Sequence, residues 1–204
     1  LAISCYDLTR QIEDEGYEAV PVYNNPKEIY GMGVPVAPGK LSPNVAPDFK
    51  YAAVACGLAE ISYSGMIFTK QFGSRQLFHM VITDAVIEQD DILDQPVCDM
   101  CMKCADACPL GAISKTEFEN INICGKEMKV AKIDYNLCRK CKNGCVNNRL
   151  ISKAEPDRIA ALCNRTCLTH LEENKLVDNR FENAFRKREA WALDYMENPV
   201  KVEG

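Results

Sequence analysis

The 204-residue chain reads as an α+β protein in three parts. Three observations carry that reading. Helical and strand-like apolar patterns alternate through residues 1–95. Eight of the 12 cysteines then crowd into residues 98–145. The remainder is charged, with apolar residues at helical spacing. Boundaries accordingly fall at 1–95, 96–152 and 153–204.

Each element has a local reason. Leu1, Cys5, Leu8 and Ile12 recur at helical spacing, and Gly16 suits the C′ position after that helix. Tyr17 to Tyr23 reads as a strand, which Pro21 confines to an edge or strand end. Residues 24–48, rich in proline and Asn/Asp, read as a long loop. Phe49 to Ile61 is Ala-rich and reads as helical. Met66 to Thr69 and Gln76 to Thr83 read as strands joined by a hairpin at Phe72-Gly73-Ser74. Residues 154–175 read as a helix with Pro156 at N1 and Ile159, Leu162, Cys163, Cys167 and Leu171 on its apolar face. Asn179 to Glu197, with Phe181, Phe185 and Trp191, reads as a further helix. The start at Leu1 falls mid-helix without an initiator Met. The first region is therefore expected to be N-terminally incomplete, a piece of a longer polypeptide.

Composition narrows the function. With 47% hydrophobic and 26% charged residues, the chain has material for a buried core and an ordinary charge balance. Two histidines leave little for a His-rich zinc site or a His-based triad. A net charge of −5 argues against a nucleic-acid partner. No run reaches the roughly 18 apolar residues of a membrane span. No basic-then-apolar leader is visible. The expectation is a cytoplasmic protein without a membrane partner, in a reducing compartment where clustered cysteines bind metal.

The cysteine spacing specifies which metal chemistry. Cys98-Asp-Met-Cys101-Met-Lys-Cys104-Ala-Asp-Ala-Cys108-Pro109 is C-x2-C-x2-C-x3-C-P, the bacterial ferredoxin run for a [4Fe–4S] cluster. Two-residue gaps let a tight loop wrap one face of a cubane with its N–H groups aimed at sulfur. The fourth cysteine of such a run ligates a second cluster, so a partner set is required. Cys124, Cys138, Cys141 and Cys145, spaced C-x13-C-x2-C-x3-C, supply it. Cross-ligation assigns Cys98, Cys101, Cys104 and Cys145 to one cluster, and Cys108, Cys124, Cys138 and Cys141 to the other. Zinc prefers paired knuckles across a longer loop, and disulfides are strained at such short spacing. Pro109 to Ser114 is apolar enough to cover a cluster from water. Cys5, Cys56, Cys163 and Cys167 read as small buried hydrophobes. A third redox or metal site is the alternative for Cys163 and Cys167, whose helix face also carries His170. His79 falls within the strand Gln76 to Thr83, as a structural or pocket-facing residue.

A family resemblance follows from Tyr51-Ala-Ala-Val-Ala-Cys-Gly57-Leu58, Gly65-Met-Ile-Phe-Thr-Lys-Gln-Phe-Gly73-Ser-Arg75 and Ile82-Thr83-Asp84 ahead of the ferredoxin run. In that order they resemble the epoxyqueuosine reductases and reductive dehalogenases. The widely spaced Cys124 resembles the dehalogenase form of the second motif. The resemblance implies a partial nitroreductase-like α/β domain able to hold a corrinoid (cobalamin), followed by a two-cluster ferredoxin-like domain and C-terminal helices. It implies that Gly57 and Arg75 line the cofactor. No catalytic side chain is identified; Tyr51, Tyr63 and Asp84 are the groups in that stretch able to exchange a proton. The expected function is electron passage through two [4Fe–4S] clusters to a corrinoid-type reductase centre. The alternatives are a dedicated carrier docking on a separate redox enzyme and a flavin-dependent reductase. The partner is thus a redox protein or a small-molecule substrate.

Overall fold

In a computed structural model of the protein, which describes residues 2–22, 37–39, 47–149, 151–183 and 191–202, the chain is α+β. The first helix, α1 (Ala2–Asp14), buries Cys5 and Thr9. Gly16 follows it with φ +93°. Leu8 is half exposed rather than part of the buried stripe. The reason is that α1 covers a sheet only two strands wide, made of β1 (Ala19–Val22) and β4 (Met80–Thr83). Pro21 is accommodated because each strand of such a sheet has a free edge.

Helix α2 (Phe49–Ala55) is capped by Asp48, whose carboxylate accepts the Lys50 and Tyr51 N–H groups. It stops well before Ile61, where the sequence had suggested it ends. Gly57 turns left-handed with φ +73°, and the chain returns as β2 (Glu60–Ile61). Strand β2 pairs with β3 (Ile67–Phe68). The expected hairpin between 66–69 and 76–83 is therefore absent. Each of its strands found a different partner, β2 for one and β1 for the other, and Thr69 and Gly73 close a local turn. His79 lies just before β4 rather than inside it.

The short helix α3 (Lys103–Asp106) follows. Next come the long antiparallel strands β5 (Ile113–Ile123) and β6 (Lys126–Ile133), then α4 (Tyr135–Lys140), N-capped by Asp134. The 154–175 helix is shorter than expected. Residues 154–161 are turns, Pro156 is not at N1, and α5 spans Leu162–Glu173. Arg158 and Ala161 use the turn to reach the interior. The last region is not a helix where it is described. Trp191 begins β7 (Trp191–Leu193), paired with β8 (Pro199–Lys201). Leu1, Tyr23, most of the 24–48 loop and Phe185 lie outside the described residues. None of the described helices is long and apolar enough to cross a membrane.

The core joins parts that are distant in sequence. Phe68 and Val97 pack with Cys167, Leu168, Leu171 and Val177. Tyr63 packs with Cys104, Ala105, Ile113 and Ala131. Val54 and Ile61 pack with Ile123 and Met128 of the long hairpin. The 47–97 segment thus fills the space between that hairpin and α5.

Gly57 tests this packing. A Cβ there would meet the Asp91 carbonyl oxygen at 2.3 Å, on top of a left-handed φ. Gly57→Ala is expected to cost about 2 kcal/mol or more of stability. Chemical denaturation checks this, and a wild-type midpoint would refute the contact.

Candidate metal centres

The ferredoxin-type run forms a loop of alternating hand. Met100 (φ +60°) and Met102 (φ +63°) are left-handed without being glycine. Such residues cost on the order of 1–3 kcal/mol each and concentrate at functional sites. Alternating hand of this kind is the backbone geometry of anion-cradling nests, although the Cys101 N–H is taken by the Asp99 carboxylate at 3.2 Å. The Tyr63 and Met100 backbones oppose the upward push of burial on the Cys98 thiol, as the Lys103 backbone does for Cys101 and the Ala105 backbone for Cys104. The Ala112 N–H donates to Cys108 Sγ at 3.2 Å. The Asn143 N–H donates to Cys141 Sγ at 3.4 Å.

Hairpin β5–β6 closes the 29-residue gap between Cys108 and Cys138. At its root Ile113 pairs with Ile133, and the Asp134 N–H bonds to the Ala112 carbonyl at 2.8 Å. The loop holding Cys108 and the helix holding Cys138 are therefore neighbours. Cys124 is at the opposite end, exposed in the tip with φ +50°. The partner strand β6 takes seven steps of ~3.3 Å, so the tip is roughly 23 Å from the root, with β5 taking up its extra length in an irregularity between Ile113 and Phe118. It lines a groove of about 750 Å³ whose far wall includes Cys98.

Helix α5 completes the arrangement. Its Cys163 and Cys167 are one turn apart on one face. Cys167 is buried against Cys98, where the Cys104, Cys98 and Cys101 sulfurs all bear on its thiol. Cys163 lines a second, apolar cavity with Cys108, Cys138, Cys141 and Cys145. Cys98, Cys101, Cys104 and Cys167 are thus neighbours, and Cys108, Cys138, Cys141, Cys145 and Cys163 line one cavity. Cys145 stands in the second group, not with Cys98, Cys101 and Cys104 where cross-ligation had assigned it. Cys124 stands in neither. Cys167 is packed in an apolar cluster and Cys163 against another, as read, and both also face motif cysteines. Cys5 is buried as expected, with its Sγ 3.5 Å from the Met80 carbonyl. Cys56 is exposed at the end of α2.

The surroundings hold these loops in place. Buried Glu60 accepts the Val97 N–H at 2.9 Å and the Cys98 N–H, and it pairs with Lys126 at 3.4 Å. Asn143 ties the Cys141 loop to β7, donating to the Leu193 carbonyl at 2.6 Å and accepting the Leu193 N–H at 2.6 Å. Gly144 must be glycine, since a Cβ would lie 2.3 Å from the Ala160 carbonyl oxygen at φ +86°. His170 Nε2 lies 2.6 Å from Asp99 Oδ2, and its Nδ1 lies 3.0 Å from Asn174 Nδ2. Burial alone would raise the Asp99 carboxyl, but the hydrogen bond and charge of His170 hold it below its ordinary value. Asp99, Cys101 and His170 bring their ligand atoms within 4.8 Å of one another.

Gly57 and Arg75, the residues carried over from the family resemblance, are engaged elsewhere. Gly57 abuts Asp91. Arg75 pairs with Glu172 at 2.6 Å and lies over the Phe181 ring. Tyr63 is buried with its hydroxyl on the Ser114 carbonyl at 3.0 Å, Tyr51 is on the surface, and Asp84 binds the Glu18 N–H at 2.8 Å. Sequence reasoning missed Arg158, Glu60 and the role of α5. The i, i+4 pair Cys163 and Cys167 was visible, but core packing produces the same spacing.

Comparison with known proteins gives a distant likeness. No family model matches the chain. Residues of this chain are 32% identical, over 117 positions, to tetrachloroethene reductive dehalogenases of Dehalobacter restrictus and Desulfitobacterium hafniense. The match takes in 56% of this chain and 18% of each relative, so the chain corresponds to less than a fifth of those proteins. It is reductive dehalogenase-like over that stretch.

Burial keeps the metal-free thiols protonated. Cys104 is pushed up to about 12 by burial and then by the Cys98, Cys163 and Cys101 sulfurs. Cys138 is pushed to about 12 and Cys145 to about 11 by burial, against the lowering charge of Arg158. Cys163 and Cys167 are also raised. A thiol whose folded value lies above its unfolded value of 9.0 stabilises the fold below pH 9 and loses that contribution as pH rises through the folded value. The metal-free protein is thus expected to lose stability progressively between about pH 9 and 12. Urea unfolding across that range measures it, and a flat profile would contradict the buried placement of these thiols.

Proposed function

We propose that this chain binds two [4Fe–4S] clusters and passes electrons, one at a time, to a corrinoid-type reductase centre. The observation that carries the proposal is the gathering of nine cysteines into two groups, with backbone N–H groups donating to Cys108 and Cys141 in the second. The first group offers Cys98, Cys101, Cys104 and Cys167. The second offers Cys108, Cys138 and Cys163 with Cys141 and Cys145, one more than a cubane takes. This ligand set replaces Cys124 with residues of α5, so the ferredoxin-like unit extends beyond residue 152. The 47–95 segment, which the family resemblance reads as nitroreductase-like, then serves as the wall of the cluster unit through Tyr63 and Glu60. Bound clusters would supply reversible one-electron transfer. The protein's own residues exclude water, fix the thiolates and donate N–H bonds that favour the reduced, more negative state.

The likeness to the dehalogenases and the order of the motifs support the corrinoid as acceptor. The groove beside Cys98 offers such an acceptor an approach to the first cluster. A second reading, a dedicated carrier docking on a separate enzyme, is favoured by the engagement of Gly57 and Arg75 in local packing. Added cobalamin discriminates: binding, followed optically, supports the first reading, and its failure leaves the carrier.

Anaerobically prepared protein is expected to hold about eight iron and eight sulfide per chain. Cys167→Ser and Cys163→Ser should each lower the iron content or alter one cluster's EPR signal, whereas Cys124→Ser should leave both unchanged. Iron loss confined to Cys124→Ser would reverse the assignment.

A further inference from the structure

Arg158 stands out among the groups the proposed function does not use. It is 4% exposed. It lies in the turn before α5, where Asp157 and Val146 exchange backbone hydrogen bonds at 2.8 and 2.9 Å. Its guanidinium stacks on the Tyr135 ring, with 5.5 Å to the centroid. Its Nη1 is buried and has no hydrogen-bond partner among the described residues. None of their carboxylates forms an ion pair with it either.

Burying an arginine without a counter-charge is strongly unfavourable, and an unpaired buried donor adds to that cost. Such a group persists where an anion completes it. Arg158 lines the second cavity, whose other titratable residues are Cys108, Cys138, Cys141, Cys145 and Cys163. As neutral thiols these supply no counter-charge. A four-thiolate cubane does, carrying about two negative charges oxidised and three reduced. The charge of Arg158 already lowers Cys138, Cys145 and Cys163 against the effect of burial.

We infer that Arg158 is the built-in cation of the second cluster site, donating Nη1–H to a cluster sulfur and favouring the cluster's reduced state. This rests on the cluster reading above. The cation interacts more strongly with the reduced cluster than with the oxidised one, so it raises the potential of that cluster alone. The role is that of a tuning residue: Arg158 ligates nothing and transfers nothing. Arg139, one residue from Cys138, is the contrasting case. Its guanidinium donates to the Lys153 and Ala154 carbonyls at 3.1 and 3.2 Å and to Asn136 at 2.6 Å.

The test is an EPR-monitored dithionite titration of the intact, cluster-loaded protein. Arg158→Met is expected to weaken the electron affinity of one cluster by about tenfold or more, a fall of about 59 mV for one electron. The other cluster should not move. Arg158→Lys should recover part of the shift, and Arg139→Met should titrate as wild type. Pulsed EPR on wild-type protein grown with 15N-arginine should show a nitrogen coupling to one reduced cluster, and Arg158→Lys should remove it. This labelled measurement decides the matter if Arg158→Met fails to hold its second cluster. Unchanged potentials in Arg158→Met, or no nitrogen coupling in the wild type, would overturn the role of Arg158 alone. A wild type that takes up no iron would overturn the cluster reading and this inference together.

Discussion

Nine cysteines, three of them buried and six half-buried, brought into two groups are the constraint on which the rest of the structure depends. A thiolate in an apolar interior is unstable without positive charge, N–H donors or metal. The chain therefore brings donors to the sulfurs from every side. The left-handed Met100 and Met102 shape the loop of the first group. Ala112 and Asn143 serve Cys108 and Cys141. Arg158 brings a charge. Each device costs conformational strain or desolvation, and the sulfur-rich interior is what makes them mutually consistent.

The architecture follows from the need to assemble these groups from distant segments. Hairpin β5–β6 is a spacer that departs from Cys108 and returns at Cys138. Helix α5 then lays one face across both groups, one cysteine to each. Between them the 47–97 segment acts as packing and scaffold. Tyr63 fills the core beside Cys104, its carbonyl accepting the Ala131 N–H at 2.8 Å. Glu60 takes up the Cys98 N–H and balances its own charge with Lys126. The charged neighbours differ between the two sites. The first has the Asp99–His170 pair at its mouth, and the second has Arg158 inside it. Two centres of like composition thereby acquire unlike environments.

The legible and illegible parts of the sequence divide by range of interaction. The helix before Gly16, the helix start at Phe49 and the loop geometry of C-x2-C-x2-C are local, because turn chemistry and spacing within a few residues determine them. Strand pairing was not legible. Residues 66–69 and 76–83 look like a hairpin in sequence, yet β3 bonds to β2 and β4 to β1. Period-2 patterning marks a strand without naming its partner. The early end of α2 was equally hidden, because the Asp91 carbonyl that Gly57 must clear is 34 residues away.

By itself the sequence determined that this is an α+β protein organised around a ferredoxin-type cysteine run, because such a run wraps a site through contacts only a few residues apart. Tertiary structure decided which distant cysteines lie beside the run. Spacing favoured Cys124 and Cys145 as the closing members. The length of β5 carries Cys124 away to the hairpin tip, and the packing of α5 brings Cys163 and Cys167 in. That outcome depends on where two elements lie in space, and one-dimensional spacing does not encode it.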